Sequence, residues 1–363
     1  MKRMVLFWSV VLLLLFSIPL TALTGVFGVP VPKVQGEPVS QGDGSKEDTP
    51  IFTPYQPSGS QSQSAAQSAI APAACALDSF QILNLTTGKV DTVSRLDYIR
   101  GAICSEMPPD FHQQAMMAQG TASLTYAVHA ALGQRQSPDP ELNGADFSAD
   151  PQNWKGYVTE ALAKERYGEK FDQYWSKISQ AAEAVQNYIL LYGESPIVAA
   201  YHSMSAGVTE TAANVWSSDV PYLQPVESEG DLLAPDYETV AQFSRGEVAQ
   251  RVAAEYPDCQ LTGEPSDWFS EPVRSASGYV TQIQVGGKVL HGKDIRRIFD
   301  LRSSCFTLTL SEDREVFTFQ VKGYGHGVGL SQYGADYLAR QGDSFDQILL
   351  HYYTDATLAV LPG

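Results

Sequence analysis

Positive charge is scarce in this chain of 363 residues: 24 Lys and Arg face 41 Asp and Glu, a formal balance of −17. The basic residues never gather beyond short doublets, which makes nucleic acid and anionic lipid surfaces poor partners. Cysteine is nearly absent too. Cys75, Cys104, Cys259 and Cys305 form no CxxC pair and no cluster with His, so neither a zinc site nor any other cofactor has support in the sequence. An even number outside the cytoplasm permits disulfides. Cys104 and Cys305 sit in apolar surroundings, however, and the favoured reading is free, buried thiols. Asp, Glu, Lys and Arg are missing altogether from two stretches, residues 4–23 and 111–131, and the two absences mean different things.

Lys2 and Arg3 precede the first of them. A bilayer needs about 20 apolar residues, more than the core of an ordinary secretory signal, and residues 20–25 offer only an indifferent cleavage site. The reading is a transmembrane anchor over 4–23 behind a cytoplasmic tail, 1–3, with a cleaved signal peptide as the alternative. In either case the positive end stays inside and the rest is exported; with the anchor retained, this is a single-pass cell-membrane protein with its folded part extracytoplasmic. Residues 24–75 are rich in Pro, Gly, Ser and Gln and include the run SGSQSQSAAQS. Such composition buries too little apolar surface to offset the entropy of ordering. The segment therefore reads as a disordered tether, and the folded domain as 76–363. With 44% apolar and 10% aromatic residues, the chain has the material for a real core.

Residues 80–85 and 87–93 pattern as a hairpin around Gly88. The uncharged stretch 111–131, with no Gly or Pro except Gly120, predicts a largely buried helix. Pro108 and Pro109 suit its first turn, and Asp110 and Gln113 resemble a capping pair. Glu106 then falls at its entrance, a lone carboxylate among apolar neighbours. Residues 134–150 read as loop, 157–168 and 171–191 as helices. From 196 the pattern turns to strands: a buried run at 197–201, one or two short helices within 236–256, a hairpin at 279–290 around Gly286-Gly287, and a second pair, 305–310 and 316–321. Gly323, Gly325, Gly327 and Gly329 follow at every second position, which lets the backbone approach a ligand or another backbone closely. A final helix runs to about Arg340. The fold class is α+β: a helix-rich part, 92–191, then an antiparallel strand-rich part, 196–335, around one cleft, behind the membrane anchor and flexible tether.

Four segments, SEMPPDFHQQAMMAQ, AAYHSMSAGVTETAANVW with PYL after it, SGYVTQIQVGGKVLHG and GYGHGVGLSQYGA, carry a likeness beyond patterning. In this order they resemble the stage II sporulation protein D family, which also takes in LytB-type amidase enhancers, over roughly residues 92–363. The resemblance implies a membrane-tethered, extracytoplasmic lytic transglycosylase that cleaves peptidoglycan glycan strands beside a cell-wall amidase during forespore engulfment. It also implies that Glu106 is the catalytic acid. Most glycoside hydrolysis uses two carboxylates, but a transglycosylase can run on one, because the sugar's own C6 hydroxyl attacks the anomeric carbon. The carboxyl first protonates the leaving oxygen, then removes the proton of that hydroxyl. Burial would raise its pKa as this demands, whereas a helix N-terminus would pull the other way.

By the same match His202 and Ser203 are candidates for contacting the sugar. His326 either binds substrate or locks its glycine loop by hydrogen bonds. Gln332 and Tyr333 either meet the sugar or close the core. Asp110 and Glu210, the neighbouring acids, read as solvated surface groups. Two departures from the family pattern stand out: Met117 and Leu124 occupy positions of a lysine and an arginine, seven residues apart on one helix face. Some relatives bind metal through Cys and His in the loop matching 134–154; this loop has neither, so no metal site is carried over. Loss of the two cations leaves a second class of function open, a glycan-binding scaffold that enhances an amidase with its own catalysis weakened.

Overall fold

A computed structural model describes residues 69–362. The expected tail, anchor or signal peptide, and most of the expected tether, lie outside the described residues. Among the described residues no helix is long and apolar enough to cross a membrane. Ala69–Ile70 already forms a strand, parallel to the last strand of the chain, and Ala71 N donates to Val360 O at 2.9 Å. The folded part thus takes in residues that composition assigns to the tether.

Strands β1 (Ser79–Asn84) and β2 (Val90–Ser94) make the hairpin about Gly88. Helix α1 (Arg95–Glu106) starts on Ser94, whose hydroxyl accepts from Asp97 N at 3.1 Å. It ends at Glu106. A non-helical link separates it from α2 (Gln113–Gln136). The sequence places Glu106 at the entrance of the second helix; it is instead the last residue of the first. The cause is local: a residue preceding proline is pushed out of the α region, and Met107, before Pro108, is extended at φ −120°, ψ 140°. The cap of α2 is likewise not Asp110 but His112, whose Nδ1 accepts from Gln114 N at 3.3 Å. Small side chains let α2 be buried almost all round, and Thr121 and Thr125 satisfy their hydroxyls on the carbonyls of Met117 and Thr121.

Strand β3 (Phe147–Ala149) joins β1 in parallel. Helices α3 (Glu160–Tyr167) and α4 (Phe171–Val185) follow. The helix expected over 171–191 stops at Val185, and β4 (Tyr188–Tyr192) takes the rest of that run into an antiparallel pairing with residues 357–360. Of the apolar run at 197–201, only Tyr201 enters a ladder, in β5 (Tyr201–His202). The span read as helical over 236–256 is half strand, β6 (Glu238–Ser244), whose exposure alternates, and half helix, α5 (Arg245–Glu255), which Ser244 and Glu247 start with a reciprocal cap. Next come the hairpin of β7 (Val280–Val285) and β8 (Lys288–His291), helix α6 (Gly292–Phe299), and the pair β9 (Phe306–Leu310) and β10 (Val316–Lys322). The chain closes with β11 (Leu330–Ser331), α7 (Gln332–Gln341) and two elements beyond the expected last helix, α8 (Phe345–Tyr352) and β12 (Thr357–Val360).

The class is α+β. Among the described residues one large core joins α1, α2 and α4 to the returning C-terminal elements through Ile99, Ile103, Met116, Leu124 and Tyr352. A second core, with Val248, Ile295, Phe299 and Phe319, lies under the antiparallel sheet ordered β9–β10–β6 and the β7–β8 hairpin. All four cysteines are free and buried. One short parallel pairing shapes the later part of the chain: β5 and β11 run parallel, Tyr201 beside Leu330 and His202 beside Ser331. It sets the segment after His202 against the start of α7, and Gly329 makes the approach possible. Gly329 has φ +72°, and a Cβ there would stand 2.1 Å from the Ala200 carbonyl oxygen.

Gly329→Ala is therefore expected to lose about 2–5 kcal/mol from left-handed strain and overpacking together, read by urea unfolding. Gly133→Ala, in α2 with nothing within 4 Å of the added carbon, is expected to gain up to about 1 kcal/mol. Equal effects would refute the close approach.

Candidate active site

Glu106 ends a helix, and the end matters. The last turn of α1 carries the negative pole of the backbone dipoles, which disfavours a carboxylate there. The sequence-based position would have favoured it. Burial acts in the same direction and dominates: desolvation lifts the Glu106 carboxyl from an ordinary 4.5 to about 7, opposed only by a hydrogen bond from Gln332. The side chain is only partly buried as a whole. Among the described residues no cation forms an ion pair with it, so nothing of opposite charge pulls the value back down.

Uncharged polar groups surround it. Gln332, the first residue of α7, uses Nε2 twice, donating to Glu106 Oε2 at 3.4 Å and to Gln119 Oε1 at 3.3 Å. Gln119, wholly buried in α2, donates in turn to Ser123 Oγ at 3.0 Å. Ser123 hydrogen-bonds the Tyr201 hydroxyl, whose pKa burial and then the Glu106 charge push up. The link between α1 and α2 is pinned to hold this arrangement. Lys177 Nζ donates to the carbonyls of Pro109 and Phe111 at 3.1 and 2.6 Å, His112 N donates to Asp336 Oδ1 at 2.5 Å, and Arg340 reaches Asp110 O at 3.1 Å. The Phe111 ring meets Tyr333 edge-on, centroids 5.0 Å apart.

Beside Gln332 lies a small, partly open cleft lined by Tyr201, His202, Ser203, Tyr324, Gly325, His326 and Gln332. Four of the residues singled out from the sequence meet here: His202, Ser203, His326 and Gln332. Tyr333 is not among the lining groups; it packs on Phe111 and donates its backbone N–H to Ser203 O at 3.1 Å. Glu106 is not among the lining residues; it adjoins them through its hydrogen bond from Gln332 and is itself partly exposed. His326 takes Val328 N on Nδ1 at 3.1 Å and lies 5.1 Å from the Trp216 ring and 5.6 Å from the His202 ring. Burial holds both imidazoles well below the usual histidine range, His202 at about 3, so neither ring is charged near pH 7.

Three residues that the sequence does not announce hold this cleft: Gln119, Ser123 and Asp231. Asp231 is completely buried between the two strands of the parallel pair, accepting from Ser205 N at 2.7 Å and Ser331 Oγ at 2.5 Å. Ser331 Oγ also receives Gly334 N at 3.2 Å as the cap of α7. Asp110 is exposed, as its composition suggests. Glu210 is not. It is 1% exposed, with Oε1 accepting from Thr211 N at 2.7 Å and Asn214 Nδ2 at 2.9 Å, and its own amide donates to Gly327 O at 2.7 Å. The turn that Thr211 caps satisfies Oε1, while Oε2 is buried without a hydrogen-bond partner; neither acid lines the cleft.

The family model described as stage II sporulation protein matches residues 84–192, from β1 to β4. Stage II sporulation protein D of Bacillus amyloliquefaciens is 32% identical over 275 residues, which span 76% of this chain and 77% of the relative. The protein of the same name from Bacillus subtilis (strain 168) is 30% identical over the same shares. A more distant relative, the amidase enhancer of Bacillus subtilis (strain 168), is 26% identical over 72% of this chain and 40% of its own. The chain belongs to the stage II sporulation protein D family.

The two uncharged substitutions on α2 sit apart from the acid's polar partners. At 100° per residue, Met117 and Leu124 point about 130° around the helix from Gln119 and Ser123. Leu124 is fully buried in the main core, and Met117 is partly buried against it. Leu124→Arg is expected to destabilise by about 4 kcal/mol or more, through an unpaired charge in the core. Met117→Lys should stay within about 1 kcal/mol, because a lysine stem can carry its ammonium to the surface. Unfolding midpoints in urea would check both, and a benign Leu124→Arg would contradict the packing.

Proposed function

We propose that this chain is a peptidoglycan lytic transglycosylase that cleaves glycan strands to 1,6-anhydro products with Glu106 as acid and then base. The observation that carries the reading is the state of Glu106: a carboxyl raised to about 7 by burial, at a helix C-terminus, beside a neutral donor rather than a cation. A carboxyl in that condition is protonated often enough near neutral pH to give its proton to a glycosidic oxygen. Once ionised, it can take the proton of the C6 hydroxyl as that oxygen closes on the anomeric carbon. One bond to the leaving sugar breaks, one intramolecular bond forms, the proton returns to Glu106, and no water is consumed. A single carboxyl suffices for this sequence. The polar lining of the cleft, with Ser203 and the uncharged His202 beside Gln332, suits a carbohydrate.

Family membership supports a place in sporulation, at the cell wall, and the amidase-enhancer relative supports an amidase as working partner. On the same reading residues 1–23 hold the domain to the outer face of the cell membrane, where its substrate lies. Tyr333, Ser203, His202, His326 and Gln332 are proposed to meet the strand or to support the residues that do.

The test is digestion of purified glycan strands with the products read by mass spectrometry. Wild type is expected to release 1,6-anhydro sugars, at a rate that falls as pH rises through about 7 because the acid form is lost. Glu106→Gln is expected to reduce release by at least about 100-fold. Reducing-end products would indicate a hydrolase. Intact strands with glycan still bound, in wild type and variant alike, would replace the enzyme by the amidase-enhancing scaffold.

A further inference from the structure

A cation that the proposed chemistry does not use stands beside the cleft. Arg302, in the turn between α6 and β9, is half-buried, and its guanidinium carbon lies 4.4 Å from the centroid of the Tyr324 ring, which lines the cleft. Its backbone carbonyl accepts from the amide of Gly325, another lining residue, at 2.9 Å. The Tyr333 phenol feels its charge: burial and then Asp110 raise that hydroxyl's pKa, and Arg302 opposes them. Arg297, Arg314 and Lys322 all have carboxylate partners; among the described residues Arg302 forms no ion pair. Asp236 offers it only a backbone carbonyl, to which Nη1 donates at 2.8 Å, and Nε is buried without a partner. Nη2 makes no hydrogen bond among the described residues. In a chain where 41 acidic side chains face 24 basic ones, a half-buried arginine without a carboxylate is out of keeping with its surroundings.

We propose that Arg302 is a carboxylate-binding residue at the edge of the cleft and reads an anionic substituent of the glycan strand. Contact with the Tyr324 ring holds the planar guanidinium in place, and Nη2 keeps its donor capacity for a carboxylate, which arginine meets with charge-assisted hydrogen bonds. A peptidoglycan strand supplies such a group on every second sugar. The lactyl ether of a muramoyl residue ends in a carboxyl that is free where the stem peptide is absent, and a stem peptide brings carboxylates of its own. The chain's formal charge of −17 repels such a strand at long range, so its capture calls for a local cation. The inference rests on the cleft being the glycan site, and it adds the residue that tells this strand from an uncharged polysaccharide.

The experiment is calorimetry on the full chain carrying Glu106→Gln, so that no ligand is cleaved, with and without Arg302→Gln. The ligands are chitotetraose, which has no carboxylate, and strand fragments of the same length that alternate N-acetylglucosamine with N-acetylmuramic acid, either free of peptide or bearing it. With Arg302 intact, a strand fragment is expected to bind at least about tenfold tighter than chitotetraose. Arg302→Gln is expected to abolish that advantage while leaving the Kd for chitotetraose within about twofold. Methyl esterification of the peptide-free fragment changes only the ligand and is expected to remove the same advantage if the lactyl carboxylate is the group read. An advantage confined to the peptide-free fragment assigns the lactyl carboxylate, and one confined to the peptide-bearing fragment assigns the stem peptide. Equal weakening of all ligands by Arg302→Gln marks a residue that only supports Tyr324, and overturns the proposal. Equal binding of chitotetraose and strand fragments with Arg302 intact overturns it too, and leaves the glycan reading standing. Binding of no ligand refutes the glycan reading of the cleft itself.

Discussion

Keeping one carboxyl away from water and away from cations is the constraint around which this molecule is arranged. Left ionised in its site, Glu106 would be held against desolvation and the negative end of α1 at once. The shift from 4.5 to about 7 corresponds to at most roughly 3 kcal/mol by which the fold prefers the acid form, less whatever the partly open side chain recovers from solvent. Because the folded-state value is raised, that contribution is complete below about pH 4.5 and is lost as pH rises through 7. A structural carboxylate would be arranged the other way, with a lysine or arginine beside it. Here the groups in reach are amides, hydroxyls and phenols, each able to hydrogen-bond without fixing the charge.

The elements that meet at this carboxyl come from distant parts of the chain. Gln332 lies 226 residues from Glu106 and 213 from Gln119, and it is brought there by a two-residue parallel pairing that depends on the glycines before it. Asp231 fastens that pairing from below, and Lys177, Asp336 and Arg340 fasten the link after Glu106 from the side. The C-terminal segment, α8 and β12, completes the same core in which α2 is buried. The acid and the cleft are therefore held by tertiary contacts more than by any one element.

How much of this is legible in the sequence follows from where each signal is stored. Hairpins with glycine turns, the buried helix of 113–136 and the glycine-rich approach to α7 are local patterns, and they form as such. His202, Ser203, His326 and Gln332 belong to motifs, and they meet in one cleft. What local pattern misreads is decided at long range. Tyr188–Tyr192 looks like the continuation of a helix until the chain's last strand pairs with it, and Glu238–Ser244 is drawn into the sheet by β10. The end of α1 at Glu106 is marked locally: the restriction that Pro108 imposes on Met107 is in the sequence, and it ends α1 there. Gln119, Ser123 and Asp231 carry no such mark. A glutamine in a buried helix acquires meaning only when another amide folds onto it.

The measurement closest to the central claim is the titration of the Glu106 carboxyl itself, followed by its side-chain ¹³C resonance and assigned by difference against Glu106→Gln. A midpoint near 7 is predicted. A midpoint near the ordinary 4.5 would mean that the carboxyl is ionised and solvated at neutral pH, and would contradict its role as the acid.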